Sequence, residues 1–130
     1  MRALRNFAFT TILIAALSCL AGCVPLLVGA AAGAGGITYA RGALSLNVDA
    51  TVEESHKAAV KALKNLKLFI SSDELNKRDS VIKAEFANGR QAKISINAFT
   101  EISSKITVRV GFLGDRELSQ LIMDAIERQL

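Results

Sequence analysis

The sequence has little of what most site chemistry needs. In 130 residues there is no Trp, one His (His56) and two Cys, Cys19 and Cys23. A disulfide framework needs more cysteines, spread through the folded part. Here both lie in an apolar leader, four residues apart. Cleavage before Cys23 leaves a single cysteine, which excludes an intramolecular disulfide and a zinc site built on cysteine. A lone histidine without cysteine is a poor metal site, so neither metal nor cofactor is expected. No phosphate loop, nucleophile elbow or metal motif occurs. The glycines Gly33 to Gly36 follow no strand pattern, which removes a dinucleotide fingerprint. Charge is also sparse where it would inform. The net charge is +4, and the leader takes Arg2 and Arg5 with it, so the mature chain carries 4 − 2 = +2. That is an ordinary value, and no nucleic-acid partner is expected.

What is present is an address. The apolar fraction of 51% is concentrated in the first forty residues. Met1 to Asn6 carries two arginines and no acid, and Phe7 to Leu17 is apolar apart from two threonines. This is the layout of a secretory signal, too short by itself to span a bilayer. Leu20-Ala21-Gly22-Cys23 follows. The tetrad resembles the bacterial lipobox, in which small residues let an extended segment enter a peptidase cleft within the membrane. The thiol takes a diacylglyceryl group and the acylated cysteine becomes the new N-terminus. Residues 1–22 are thus read as a lipoprotein signal peptide and Cys23 as the lipidation site. The competing reading is an uncleaved membrane helix, since no charge occurs between Arg5 and Arg41. Pro25 and the glycines from Gly29 onward argue against it. By the resemblance to lipoproteins, Val24 in place of an inner-membrane aspartate favours the outer membrane of a two-membrane cell, with the domain facing the periplasm.

Residues 23–40 hold the lipidated cysteine and an apolar, glycine-rich tether. Gly29 and Gly33 stand four apart, which admits close helix approach in a membrane. A flexible tether is the equal alternative. Residues 41–130 read as an α+β domain. Ala43 to Val48 alternates as a half-buried strand. Thr51 and Glu54 form a capping-box signature for a helix to about Leu66, with Val52, His56, Ala59, Val60, Leu63 and Leu66 on one face. Strands are expected over Lys67–Ser72, Val81–Phe86, Gln91–Phe99 and Lys105–Phe112, the last with Phe112 inward. Asn88-Gly89 is the strongest hairpin signal, read as a type I′ turn. Asp115 caps a last helix with Leu118, Leu121, Ile122, Ala125 and Ile126 inward. The order β-α-β-β-β-β-α predicts a two-layer sandwich: one antiparallel sheet, both helices on its apolar face. The arrangement resembles the helix-grip or TBP-like fold of other envelope lipoproteins.

His56 sits on an apolar helix face with no nucleophile or acid nominated beside it, so it reads as a core histidine. Lys57, Lys61, Lys64 and Lys67 make a basic stripe, read as a solvated face supported by Glu53 to Lys57. The most distinctive segment is Arg109-Val110-Gly111-Phe112-Leu113-Gly114-Asp115. Gly111 and Gly114 allow a sharp strand-to-helix turn. Arg109, Gly111, Gly114 and Asp115 therefore form a corner, either structural, with an Arg–Asp pair, or a recognition site.

The lipobox, Tyr39-Ala40-Arg41-Gly42-Ala43-Leu44 and the R-V-G-x-x-G-D pattern from Arg109 to Asp115 together resemble a family of small bacterial lipoproteins that is a domain of unknown function. The resemblance implies a lipidated envelope protein and no activity. It also places an aromatic where His56 stands, in keeping with a core position. The leading expectation is a non-enzymatic module, anchored by its lipid, that binds an envelope protein through its polar sheet face or an edge strand. The alternative is a small-ligand or lipid binder with a pocket between sheet and helices, hinted at by Ala84, Ala92 and Ala98. A third reading, an enzyme, requires His56 and Arg109 to meet in a cleft.

Overall fold

The computed structural model describes residues 36–130. The signal peptide, Cys23 and most of the tether lie outside the described residues. Ile37–Leu130 forms one compact unit. Its elements are β1 (Thr38–Ala40), β2 (Ala43–Val48), α1 (Val52–Asn65), β3 (Phe69–Leu75), β4 (Asp79–Glu85), β5 (Gln91–Ala98), β6 (Ser104–Val110) and α2 (Arg116–Glu127). The strands make one antiparallel sheet in the order β1-β2-β6-β5-β4-β3. After β2 the chain crosses through α1 to the far edge, and β3 to β6 return strand by strand to pair with β2.

The α+β class and the antiparallel sheet are as the alternation implied. The order is not: among the described residues there are six strands rather than five. Thr38–Ala40, assigned to the tether, pairs with β2 instead, closed by a two-residue turn in which Arg41 (φ 52°) and Gly42 (φ 78°) both take positive φ. That is the type I′ requirement. It falls here and not at Asn88-Gly89. The β4–β5 connection has five residues, and inside its Phe86–Arg90 pair only Gly89 has positive φ; Phe86 accepts from the Gly89 N–H and donates to the Arg90 carbonyl. This is a type I turn followed by a left-handed glycine.

The start of β3 also moves. Lys67, expected in a strand, has φ 58° and ends α1. The Leu68 N–H reaches the Leu63 carbonyl at 3.0 Å and the Lys67 N–H reaches Lys64. This is a Schellman closure with lysine in the usual glycine position, and buried Leu63 and Leu68 supply its apolar contact. At the other end of α1 the capping box forms as read: Glu54 N–H donates to the Thr51 hydroxyl, and Thr51 N–H to the Glu54 carboxylate.

The core lies between the sheet and the helices. Leu44, Leu46, Ile82, Ile94, Ile96, Ile106, Val108 and Val110 meet Leu63, Ile122, Met123 and Ile126 there. Two inward assignments fail. Phe112 lies beyond the end of β6 and is 91% exposed. Leu121 is exposed, while Ser119 and Met123 take buried positions on α2. The other face of the sheet carries Ser45, Lys83, Lys93, Ser95, Asn97, Thr107 and Arg109, at exposed or half-buried positions.

Candidate interaction surface

The strand-to-helix corner is built by two glycines. Gly111 (φ 72°) turns the chain out of β6 and Gly114 (φ 84°) turns it into α2. Between them Phe112 and Leu113 project into solvent, 91% and 86% exposed. The Asp115 N–H closes the loop on the Val110 carbonyl at 2.8 Å. The Arg109 guanidinium donates to the Phe112 carbonyl, so it holds the tip from the outer sheet face.

Asp115 caps α2 as expected, accepting from the Leu118 N–H at 3.0 Å. Its ion-pair partner is Arg90 at 2.5 Å, not Arg109. The cap hydrogen bond from Leu118 holds the Asp115 carboxyl below its ordinary range; burial opposes it less strongly, and Arg90 and the Glu117 N–H add to the lowering. A carboxyl depressed on folding stabilises the fold above its unfolded value and loses that contribution as pH falls through the folded one. Asp115→Asn should therefore flatten the acid side of the stability–pH profile below about pH 4. Urea midpoints between pH 2.5 and 6 check this, and parallel profiles for both chains would reject it.

The corner meets the β1–β2 turn. A Cβ on Gly114 would collide with the Gly42 backbone, and one on Gly42 would lie 2.6 Å from the Leu113 carbonyl oxygen. Arg116, opening α2, sits over the Tyr39 ring at 5.6 Å, a cation–π distance. Two of the three segments that carry the sequence resemblance, Tyr39–Leu44 and Arg109–Asp115, thus meet in one place in the fold.

Beside the corner, three cations stand in register on the uncovered face: Lys83 opposite Lys93, and Lys93 opposite Arg109. Like charges directly opposite destabilise a sheet. None of the three is in an ion pair among the described residues. They line one hollow together with Arg90 and Phe112.

His56 has partners that the sequence did not reveal. Its Nδ1 lies 2.7 Å from the Ser80 hydroxyl on β4, and its Nε2 lies 3.2 Å from Asp73 on β3. A Ser–His–Asp set invites a hydrolase reading, but Ser80 is 1% exposed. A nucleophile must reach its substrate, so this set ties α1 to β3 and β4. Arg109 and His56 line different hollows and do not meet. The lysine stripe on α1 is solvated, with Lys57 on Glu53 at 2.7 Å.

A family model described as "Protein of unknown function (DUF3568)" matches residues 6–129. The chain belongs to DUF3568. No curated protein matches it. The DUF3568 match begins well before the described residues, so the six-stranded sheet and its corner are the C-terminal part of one family unit. Among the described residues of this DUF3568 chain no helix is long and apolar enough to cross a membrane.

Proposed function

We propose that this DUF3568 chain is an envelope lipoprotein that works by contact and not by catalysis. It is exported, cut before Cys23, acylated there, and displayed toward the periplasm, with the outer membrane favoured. The proposal includes the lipoprotein reading of Leu20 to Cys23 and the likeness to helix-grip or TBP-like envelope domains. The observation that carries the contact reading is the one-sided sheet: both helices cover the apolar face, and the other face, with Ser95 and Thr107 at its middle, is uncovered.

An edge strand is a weaker contact candidate. The β1 edge has three residues. The β3 edge carries Asp73 and Glu74 and shifts register between Ile70 and Ser72. Short, charged and bulged edges resist strand addition. The ligand-binding alternative is weaker too, because fully buried Ile82, Ile94, Leu63 and Met123 occupy the space between the layers.

The test has two readouts. Intact mass of the membrane-extracted protein should give a chain starting at Cys23 plus acyl groups, and Cys23→Ser should abolish that species. A photo-crosslinking residue at Ser95 should then give a discrete protein adduct in intact envelopes, while the same residue at Lys64, on the exposed side of α1, should give none. Equal behaviour at the two positions rejects the face as the contact surface.

A further inference from the structure

We propose that the Phe112–Leu113 tip and the cation row beside it dock the domain onto an anionic phospholipid surface. This rests on the anchored reading above and gives it an orientation.

Three observations converge on the same pole of the domain. The first is the tip itself: two adjacent large apolar side chains held outward between left-handed glycines, a form that buries nothing in the isolated domain. The second is the row Lys83, Lys93 and Arg109, adjacent to it on the uncovered face, where in-register like charges are kept without an acidic partner. An apolar wedge flanked by basic side chains matches the layering of a bilayer surface, where phosphates lie outside the acyl boundary. Asp115, Glu117 and Glu85 are the acids on this side; Asp115 is already engaged by Arg90 and the helix cap, and Glu85, opposite Gln91 at the end of β4, makes no ion pair with the row.

The third observation is where the chain comes from. Strand β1 begins at Thr38 and runs directly to the turn that touches Gly114. Fourteen residues, Val24 to Ile37, separate Cys23 from that strand. Even fully extended they reach roughly 50 Å. A lipid on Cys23 therefore confines the corner near the membrane, and a weak surface interaction acts as an intramolecular one. The apolar loop at the opposite pole, with Phe99 and Ile102, also has cations beside it, Lys77 and Arg78, but the acids Glu53 and Glu101 line the same hollow with them, whereas no acid lines the hollow that holds Lys83, Arg90, Lys93 and Arg109. Charge selects the Phe112 pole for anionic lipid.

The absence of Trp makes the test direct. Full-length protein carrying Phe112→Trp is reconstituted into vesicles of phosphatidylcholine alone or with phosphatidylglycerol, and the indole is quenched by brominated lipid. Strong quenching is expected with phosphatidylglycerol, with Phe99→Trp remaining in water. Adding Lys83→Glu and Lys93→Glu, both at exposed positions, should lower the docked-to-undocked ratio by about tenfold or more. An indole that stays in water, or one equally quenched without anionic lipid and with the lysines reversed, overturns the docking. A tip that binds an envelope protein instead gives the first of these results. Intact mass of the same preparation reads the anchor separately. A lipidated chain with an unquenched indole removes the docking and leaves the anchor. A quenched indole on a chain without lipid does the reverse.

Discussion

Gly114→Ala is expected to destabilise the domain by about 2–5 kcal/mol. Two costs combine. A side chain at φ 84° brings about 1–2 kcal/mol of left-handed strain. The new methyl collides with the Gly42 carbonyl oxygen, Cα and carbonyl carbon, all of them backbone, so no side chain can swing away. Forced backbone shifts of that kind cost typically 1–3 kcal/mol. For a domain of this size the melting temperature should fall by roughly 10–30 °C. Gly111→Ala separates the two costs. It has φ 72° and nothing within 4 Å of an added Cβ, so only the strain of about 1–2 kcal/mol remains. Thermal and urea unfolding of the two variants, followed by circular dichroism, gives the comparison. Equal losses would mean that the β1–β2 turn does not press on the corner in solution. A much larger loss for Gly114→Ala makes the contact the link that seats β1, and with it the incoming chain, against the α2 corner.

Most of the fold was legible because alternation and capping are local signals. The inward positions Ile82, Ala84, Ala92, Ile94, Ile96, Ile106, Val108 and Val110 all follow from period two, and all are buried. The capping box at Thr51 and the Asp115 cap are similarly local. What escaped depends on glycine expectations. Strand β1 is three residues long, sits after a run of small apolar residues, and turns through Arg41-Gly42, a pair outside the usual Asn-Gly signal. Lys67 closes α1 in a left-handed conformation where glycine is the usual sign, so β3 starts at Phe69 and not at Lys67. Phe112 continued the β6 alternation on paper, but Gly111 had already turned the chain. The corner was legible as a motif. The partner of Asp115 was not, since Arg90 lies 25 residues away and meets it only through the β5–β6 register. The cation row is likewise a product of register: Lys83, Lys93 and Arg109 have no local relation in sequence.

Ser80→Ala should cost about 1–3 kcal/mol, because it strands a buried ring nitrogen. With Nε2–H donating to Asp73, a neutral ring has Nδ1 as the acceptor of the Ser80 hydroxyl proton. In a catalytic triad the ring is turned the other way, with the acid on Nδ1 and the hydroxyl on Nε2. With His56 8% and Ser80 1% exposed, little water can replace a lost partner. His56→Phe should cost a similar amount, leaving the Ser80 hydroxyl without its acceptor and Asp73 without its donor. Removing both polar groups removes the mismatch between ring and hydroxyl, and Asp73, with its side chain 42% exposed, is left to water. The double variant His56→Phe/Ser80→Ala should therefore cost at least about 1 kcal/mol less than the sum of the two single losses. Urea unfolding of the four chains gives the coupling directly. Additive losses would show that the ring and the hydroxyl do not interact, and would reopen the question of what a histidine does on the inner face of α1. Strong coupling makes Ser80 a reason this helix tolerates a histidine there, and assigns the chain's one imidazole to holding α1 on the sheet.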